Sequence, residues 1–157
     1  MRPADSQPSH LGLDEFVLQC DGASRGNPGR AAIGFVLLDA QGEEILAHGE
    51  VLGEGITNNV AEYTALLRGL EAAAARGVRR LRARLDSELV VRQVRGEYRV
   101  RHAGLQALHL LVRARLSDFA SFHIEHVPRA ANRRADALAN AALDALDSPR
   151  RQEKPAT

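Results

Sequence analysis

Asp21, Glu62, Asp86 and Asp136 are the side chains of this 157-residue sequence whose setting points to chemistry. Asp21 closes the apolar run FVLQC and precedes GASRGNPGR, where Gly22, Gly26, Asn27, Pro28 and Gly29 predict that the strand ends at the acid and a tight turn follows. Asp86 ends the alternating run LRARLD, and Glu62 and Asp136 fall in the expected first turns of two helical stretches. All four therefore sit at element ends, where an α/β sheet brings distant residues together at one edge. Four carboxylates in one place repel and raise one another's pKa unless cations share the site. Hard oxygen donors select Mg²⁺ or Mn²⁺, and two such ions about 4 Å apart serve in-line phosphodiester cleavage. Each acid taken singly also has a structural reading. Glu62 fits a capping box with Asn59, Asp136 gains from a helix dipole, Asp86 serves a helix start and Asp21 is an ordinary turn residue. Their joint placement favours metal-dependent phosphoryl chemistry.

The elements that must position these acids follow from hydrophobic period. Residues 15–21, 31–40 and 43–52 read as three strands joined by turns at 22–30 and near Gln41-Gly42, an antiparallel meander. From 58 to 76, Val60, Tyr63, Leu67, Leu70 and Ala74 recur at helical spacing, with Gly77 placed as a left-handed C-terminal cap. A half-buried strand follows at 81–86, then helices at 87–95 and about 103–118, a strand at 121–127, and a helix at 132–146 with Leu138, Ala142 and Leu146 on one stripe. The order βββαβααβα implies an α/β fold in which a five-stranded mixed sheet is flanked by helices. One domain is expected over residues 14–147, with flexible tails at 1–13 and 148–157.

Composition agrees with a globular domain, at 45% hydrophobic and 26% charged residues. No apolar run reaches the roughly 20 residues that span a bilayer, and MRPADSQPSH lacks a signal-peptide layout, so a cytoplasmic protein is expected. The single cysteine, Cys20, reads as a buried packing thiol. The net charge of +1 conceals an asymmetry: residues 76–115 carry 11 arginines against 3 acids, while residues 1–75 carry 4 arginines against 11 acids. A basic middle beside an acidic first half suits a polyanion-binding surface next to a cation site, and equally a solvated arginine-rich helix face.

DGASRGNPG (21–29), TNNVAEYTALLRGLEAA (57–73), LDSELVVRQVRGEY (85–98) and HVPRAANRRADALANAAL (126–143) resemble, in order and spacing, the four motifs of type 1 ribonuclease H. The resemblance covers about residues 15–146. It implies a ribonuclease H-like fold and an endonuclease that cuts the RNA strand of RNA–DNA hybrids, leaving 5′-phosphate and 3′-hydroxyl ends. It also implies two divalent cations, Mg²⁺ or Mn²⁺, on Asp21, Glu62, Asp86 and Asp136. It puts Asn27 and Asn59 at the hybrid's RNA strand and Gly22 and Ser24 among the substrate-binding residues of the turn at the minor groove, where the 2′-hydroxyl tells RNA from DNA. Thr57 and Ser87 would touch a phosphate of the DNA strand. For Asn59, Thr57 and Ser87 a helix-cap role stands beside the substrate role, and the two can coexist. The implied partner is the hybrid itself, with double-stranded RNA as an additional substrate of a looser enzyme, bound by a monomer away from membranes.

Departures from the family pattern carry their own expectations. With no tryptophan anywhere, VRGEYRVRHAGL runs on where many members insert a basic clamping helix, which resembles the compact subgroup and shifts substrate grip to the arginines of 92–101. Glu88 stands where a glutamine often contacts substrate. His126 lies ten residues before Asp136, the usual distance of an assisting loop histidine. The segment resembles the shortened-loop variant VPRxxNxxAD, however, which leaves His126 on the strand and makes Arg129 the loop residue beside the scissile phosphate. Arg129 is favoured, and it cannot serve as a general base because it keeps its proton. Two rivals remain: a non-catalytic nucleic-acid-binding module of the same fold, and a phosphate-cradling nucleotidase or kinase. The second is disfavoured, since no lysine with serine or threonine follows the glycines.

Overall fold

β1 (Glu15–Gly26), β2 (Gly29–Leu38) and β3 (Glu44–Ile56) form the antiparallel meander in a computed structural model that describes residues 14–147. α1 (Asn58–Ala75) then crosses to β4 (Arg80–Leu85), and α2 (Glu88–Val94) and α3 (Ala103–Leu116) lead to β5 (Ser121–His126). A 3₁₀ turn at Arg129–Asn132 runs into α4 (Arg133–Leu146). The sheet order is β3-β2-β1-β4-β5, with β1–β4 and β4–β5 parallel. This is the ribonuclease H-like α/β fold, with the expected element order and mixed sheet. The expected tails at 1–13 and 148–157 lie outside the described residues. Among the described residues, no helix is long and apolar enough to cross a membrane.

β2 is buried along nearly its whole length because both of its faces are covered. Ile33, Phe35 and Leu37 join Leu18, Cys20, Tyr63, Leu66 and Leu70 in the large core beneath α1 and α3. The alternate residues face α4, where the core is small: Ala32 with Ala139 and Leu143. Glycines make that thinness necessary. A Cβ on Gly34 would fall 2.2 Å from the Ala135 carbonyl oxygen, and one on Gly49 would fall 2.6 Å from that of Leu138.

Four local expectations are corrected. β1 does not stop at Asp21: it pairs with β2 through Gly26↔Gly29, and only Asn27 and Pro28 form the turn. The permissive glycines allow the extended conformation, and the hairpin ladder supplies the hydrogen bonds that favour it. α1 is capped by Thr57, whose Oγ1 accepts from the Val60 N–H at 3.2 Å, so Glu62 lies in the second turn and forms no capping box with Asn59. β4 ends at Leu85, leaving Asp86 just beyond it. On α4 the buried stripe is Ala135, Ala139 and Leu143, while Leu146 is 42% exposed. Where the helix lies on Gly34, the inward residues are the small Ala135 and Ala139.

Candidate metal and nucleic-acid site

β1 keeps β2 as a neighbour along its full hairpin, but its parallel pairing with β4 ends at Gln19↔Arg84. Asp21 therefore projects from a strand whose second edge has just opened, and Asp86 follows the last residue of β4 at that same opening. Glu62 reaches it because α1 touches β1 backbone to backbone. A Cβ on Gly22 would lie 2.2 Å from the Ala61 carbonyl carbon, and the Gly22 N–H donates to Glu62 Oε1 at 3.3 Å. Asp136 arrives from the other face of the sheet in the first turn of α4, which rests on Gly34, the ladder partner of Asp21.

One carboxylate oxygen from each of Asp21, Glu62 and Asp86 lies within 4.8 Å of the other two. Asp136 stands outside this trio but lines the same cleft of about 490 Å³, together with Gly22, Ser24, Asn58, Arg129 and Asn140. Its Oδ1 accepts from Asn140 Nδ2 at 3.1 Å. Burial first, then the charge of Glu62, pushes the Asp21 carboxyl up to about 10. Burial first, then Asp86, pushes Glu62 up to about 8. The neighbouring Cys20 thiol is also raised, chiefly by burial. Clustered oxygen donors whose negative charge is disfavoured by one another and by burial fit a hard divalent cation.

Asn132, fully buried, donates from Nδ2 to the Cys20 carbonyl at 2.9 Å and so fastens the 3₁₀ turn bearing Arg129 to the residue before Asp21. The cleft is lined by Arg129 and not by His126, which is exposed at the end of β5 opposite Leu85.

The other expected contact residues divide into two groups. Gly22 and Ser24 border the acidic cleft. Asn27, Thr57 and Asn59 line a separate recess of about 260 Å³ with His102 and Leu105. Ser87 borders neither; it caps α2, its Oγ accepting from the Val90 N–H at 3.3 Å. Asn58 ties the groups together, its Oδ1 accepting from the Ser24 N–H at 3.1 Å while its own N–H donates to Asn27 Oδ1 at 3.0 Å. Sequence reasoning passed over Asn58, Asn140 and His102. Asn140 was discoverable from its i+4 spacing to Asp136 and Asn58 from its place beside the cap, whereas His102 gave no signal before the loop was folded.

Glu88 is held by Arg92 Nε at 2.8 Å, which lowers its carboxyl pKa. Arg92 also pairs with Glu97, and Arg95 donates to the Ile124 carbonyl. Arg99 and Arg101, exposed in the direct link between α2 and α3, make no ion pair among the described residues.

Residues 19–142 match the family described as Reverse transcriptase-like. A Ribonuclease HI from Halobacterium salinarum is 48% identical over 124 residues, 79% of this chain and 62% of that protein. The Bifunctional protein Rv2228c of Mycobacterium tuberculosis is 43% identical over 131 residues, 83% of this chain and 36% of that protein. The chain thus spans less than two thirds of the length of these curated relatives. Among solved structures, RNase H1 from Halobacterium salinarum superposes with a TM-score of 0.81 at 45% identity, covering 83% of this chain and 98% of that one. LC11-RNase H1, crystallised in complex with an RNA/DNA hybrid, gives 0.79 at 37% identity over 83% of this chain and 98% of that one. On the family match over residues 19–142, the identity to these relatives and the shared fold, the chain belongs to the type 1 ribonuclease H family.

Proposed function

We propose that the chain is a metal-dependent endoribonuclease that hydrolyses the RNA strand of RNA–DNA hybrids. The observation that carries this reading is the convergence of Asp21, Glu62 and Asp86 within 4.8 Å in a chain of this family. In the reaction, water adds to the scissile phosphorus and the bond to the 3′-oxygen breaks. The proton from water ends on that oxygen, giving 3′-hydroxyl and 5′-phosphate ends.

Asp21, Glu62, Asp86 and Asp136 hold two divalent cations, Mg²⁺ or Mn²⁺, in this reading. Such ions, when bound, supply Lewis acidity and neutralise charge developing on the phosphoryl oxygens. Arg129 donates to the scissile phosphate and takes no proton. Asn27 spends its Oδ1 on the Asn58 N–H, which leaves its NH₂ to donate to an RNA 2′-hydroxyl. Ser24 donates its hydroxyl to the Ile56 carbonyl at 2.7 Å, so it offers substrate a lone pair. Thr57 and Ser87 accept cap bonds through oxygen and keep their O–H groups for a DNA-strand phosphate. Gly22 brings backbone close to the substrate, and Asn59 offers an amide from the recess. Arg99 and Arg101 grip the backbone in place of a clamping helix, as in a compact member of the family.

Mapping of the products from end-labelled hybrid tests the reading. Fragments with 5′-phosphate and 3′-hydroxyl ends, formed only with added cation, are expected. Fragments with 2′,3′-cyclic phosphate ends, or cutting of the DNA strand, would refute it.

A further inference from the structure

The trio of Asp21, Glu62 and Asp86 is held by burial and by close backbone contact, and the half-buried Asp136 meets it from the first turn of α4, its carboxyl within hydrogen-bond reach of that of Asp21. Behind the carboxyl, a polar chain runs from Asp136 back to β1. Asn140 Nδ2 donates both to Asp136 Oδ1 at 3.1 Å and to the Asp136 carbonyl at 3.0 Å. Asn140 Oδ1 in turn accepts from Arg25 Nη2 at 3.2 Å. Arg25 is fixed by two further carboxylates, Asp144 of α4 and Asp147 just past its end, each at 2.8 Å. Asp136, Asn140, Asp144 and Asp147 follow one another at intervals of four, four and three, so they share one face of the helix.

We propose that Arg25 is a positioning residue for the fourth carboxylate, acting through Asn140 to hold Asp136 toward a divalent cation. An amide presents an acceptor at one end and a donor at the other. With Arg25 on Oδ1 and both Asp136 acceptors on the NH₂, the amide is held at both ends; without Arg25 only the Asp136 end remains, and the pair loses its tie to β1. The two acids near the C-terminus of α4 oppose the helix dipole, a cost that Arg25 offsets together with Arg30, which also pairs with Asp147. Their placement makes sense as anchors for the guanidinium. Arg25 lies four residues past Asp21 on the same strand, so one element carries the first carboxylate and the group that orients the fourth.

The inference rests on the reading of Asp136 as a cation ligand. It is tested by calorimetric titration of Mn²⁺ into wild type, Arg25→Ala, Asn140→Ala, the double variant and an Asp136→Asn control, with thermal melts and hybrid cleavage in parallel. Arg25→Ala and Asn140→Ala should each weaken Mn²⁺ binding at the Asp136-dependent site about tenfold and lower kcat by a similar factor. KM for the hybrid should not change. The double variant should lose no more than Asn140→Ala alone. Asn140→Ala leaves the Arg25 ion pairs in place, so it carries the test if Arg25→Ala unfolds. A wild-type isotherm and kcat in Arg25→Ala, additive losses in the double variant, or a raised KM at constant kcat would overturn the relay. Wild-type protein that binds Mn²⁺ through Asp136 yet cuts no hybrid would refute the nuclease reading and leave the relay standing.

Discussion

Gly34 of β2 meets Ala135 of α4 backbone to backbone, a Cβ on the glycine falling 2.2 Å from the alanine carbonyl oxygen. Gly34 is also the ladder partner of Asp21, and Ala135 immediately precedes Asp136. This contact therefore sets the spacing between the first and fourth acids. Gly34→Ala should cost about 1–3 kcal/mol of stability by overpacking and should lower cleavage by displacing Asp136. Urea unfolding and a cleavage assay measure both effects; wild-type stability in the variant would contradict the packing account.

The raised carboxyls give the metal-free protein a defined pH dependence. Asp21 moves from 3.8 in the unfolded chain to about 10 when folded, and Glu62 from 4.5 to about 8, in each case first through burial. The folded state then binds these protons more tightly, so the contribution of these two groups is fully present below about pH 4 and is lost as pH climbs toward those values, whereas the lowered carboxyls of Glu44, Glu50, Glu88 and Glu125 lose theirs only in more acidic solution. In EDTA, Tm should fall between pH 5 and pH 8. Asp21→Asn should flatten that fall and raise Tm at pH 8 by about 3 °C, while abolishing cleavage. Mn²⁺ should raise wild-type Tm more at pH 8 than at pH 5. A metal-free Tm that rises with pH would contradict the assignment.

Arg129 borders the acidic cleft and His126 does not. Arg129→Ala should lower kcat by about tenfold or more, because it removes a donor to developing phosphate charge. His126→Ala should change kcat by less than about twofold, within the range of an exposed substitution. Steady-state kinetics on a labelled hybrid decide it, and a larger loss in His126→Ala would overturn the loop reading.

Arg99 and Arg101 offer charge that no carboxylate neutralises among the described residues. The double alanine variant should raise KM for the hybrid, spare kcat, and flatten the slope of log affinity against log salt by about 1 to 2. An unchanged salt slope would place the grip elsewhere on the surface.

The fold was readable because its periods are clean: alternation in LRARLD and helical spacing from Val60 to Ala74 place β4 and α1 within a few residues of their bounds. The acids were readable because Asp86 adjoins a strand end and Asp136 a helix start. What the sequence hid were consequences of pairing and close approach. Gly22 reads as a strand breaker until β2 pairs alongside it and Ala61 packs on it. The inward stripe of α4 shifted from Leu138 to Ala139 because its floor is glycine, a property of β2 and β3 that the helix sequence does not contain. The recess of Asn27, Thr57 and Asn59 needed His102 from more than forty residues away in sequence.

The central claim is that the acidic trio makes this chain a hybrid-directed ribonuclease. It is tested most directly by cleavage of labelled RNA–DNA hybrid, double-stranded RNA and double-stranded DNA in Mg²⁺, Mn²⁺ and EDTA at low salt, with wild-type and Asp86→Asn protein. The account predicts cutting of the hybrid's RNA strand by wild type with a divalent cation, none in EDTA, and none by folded Asp86→Asn. Cleavage that survives EDTA or the Asp86 substitution, or folded wild type that cuts no duplex with either ion, would contradict it.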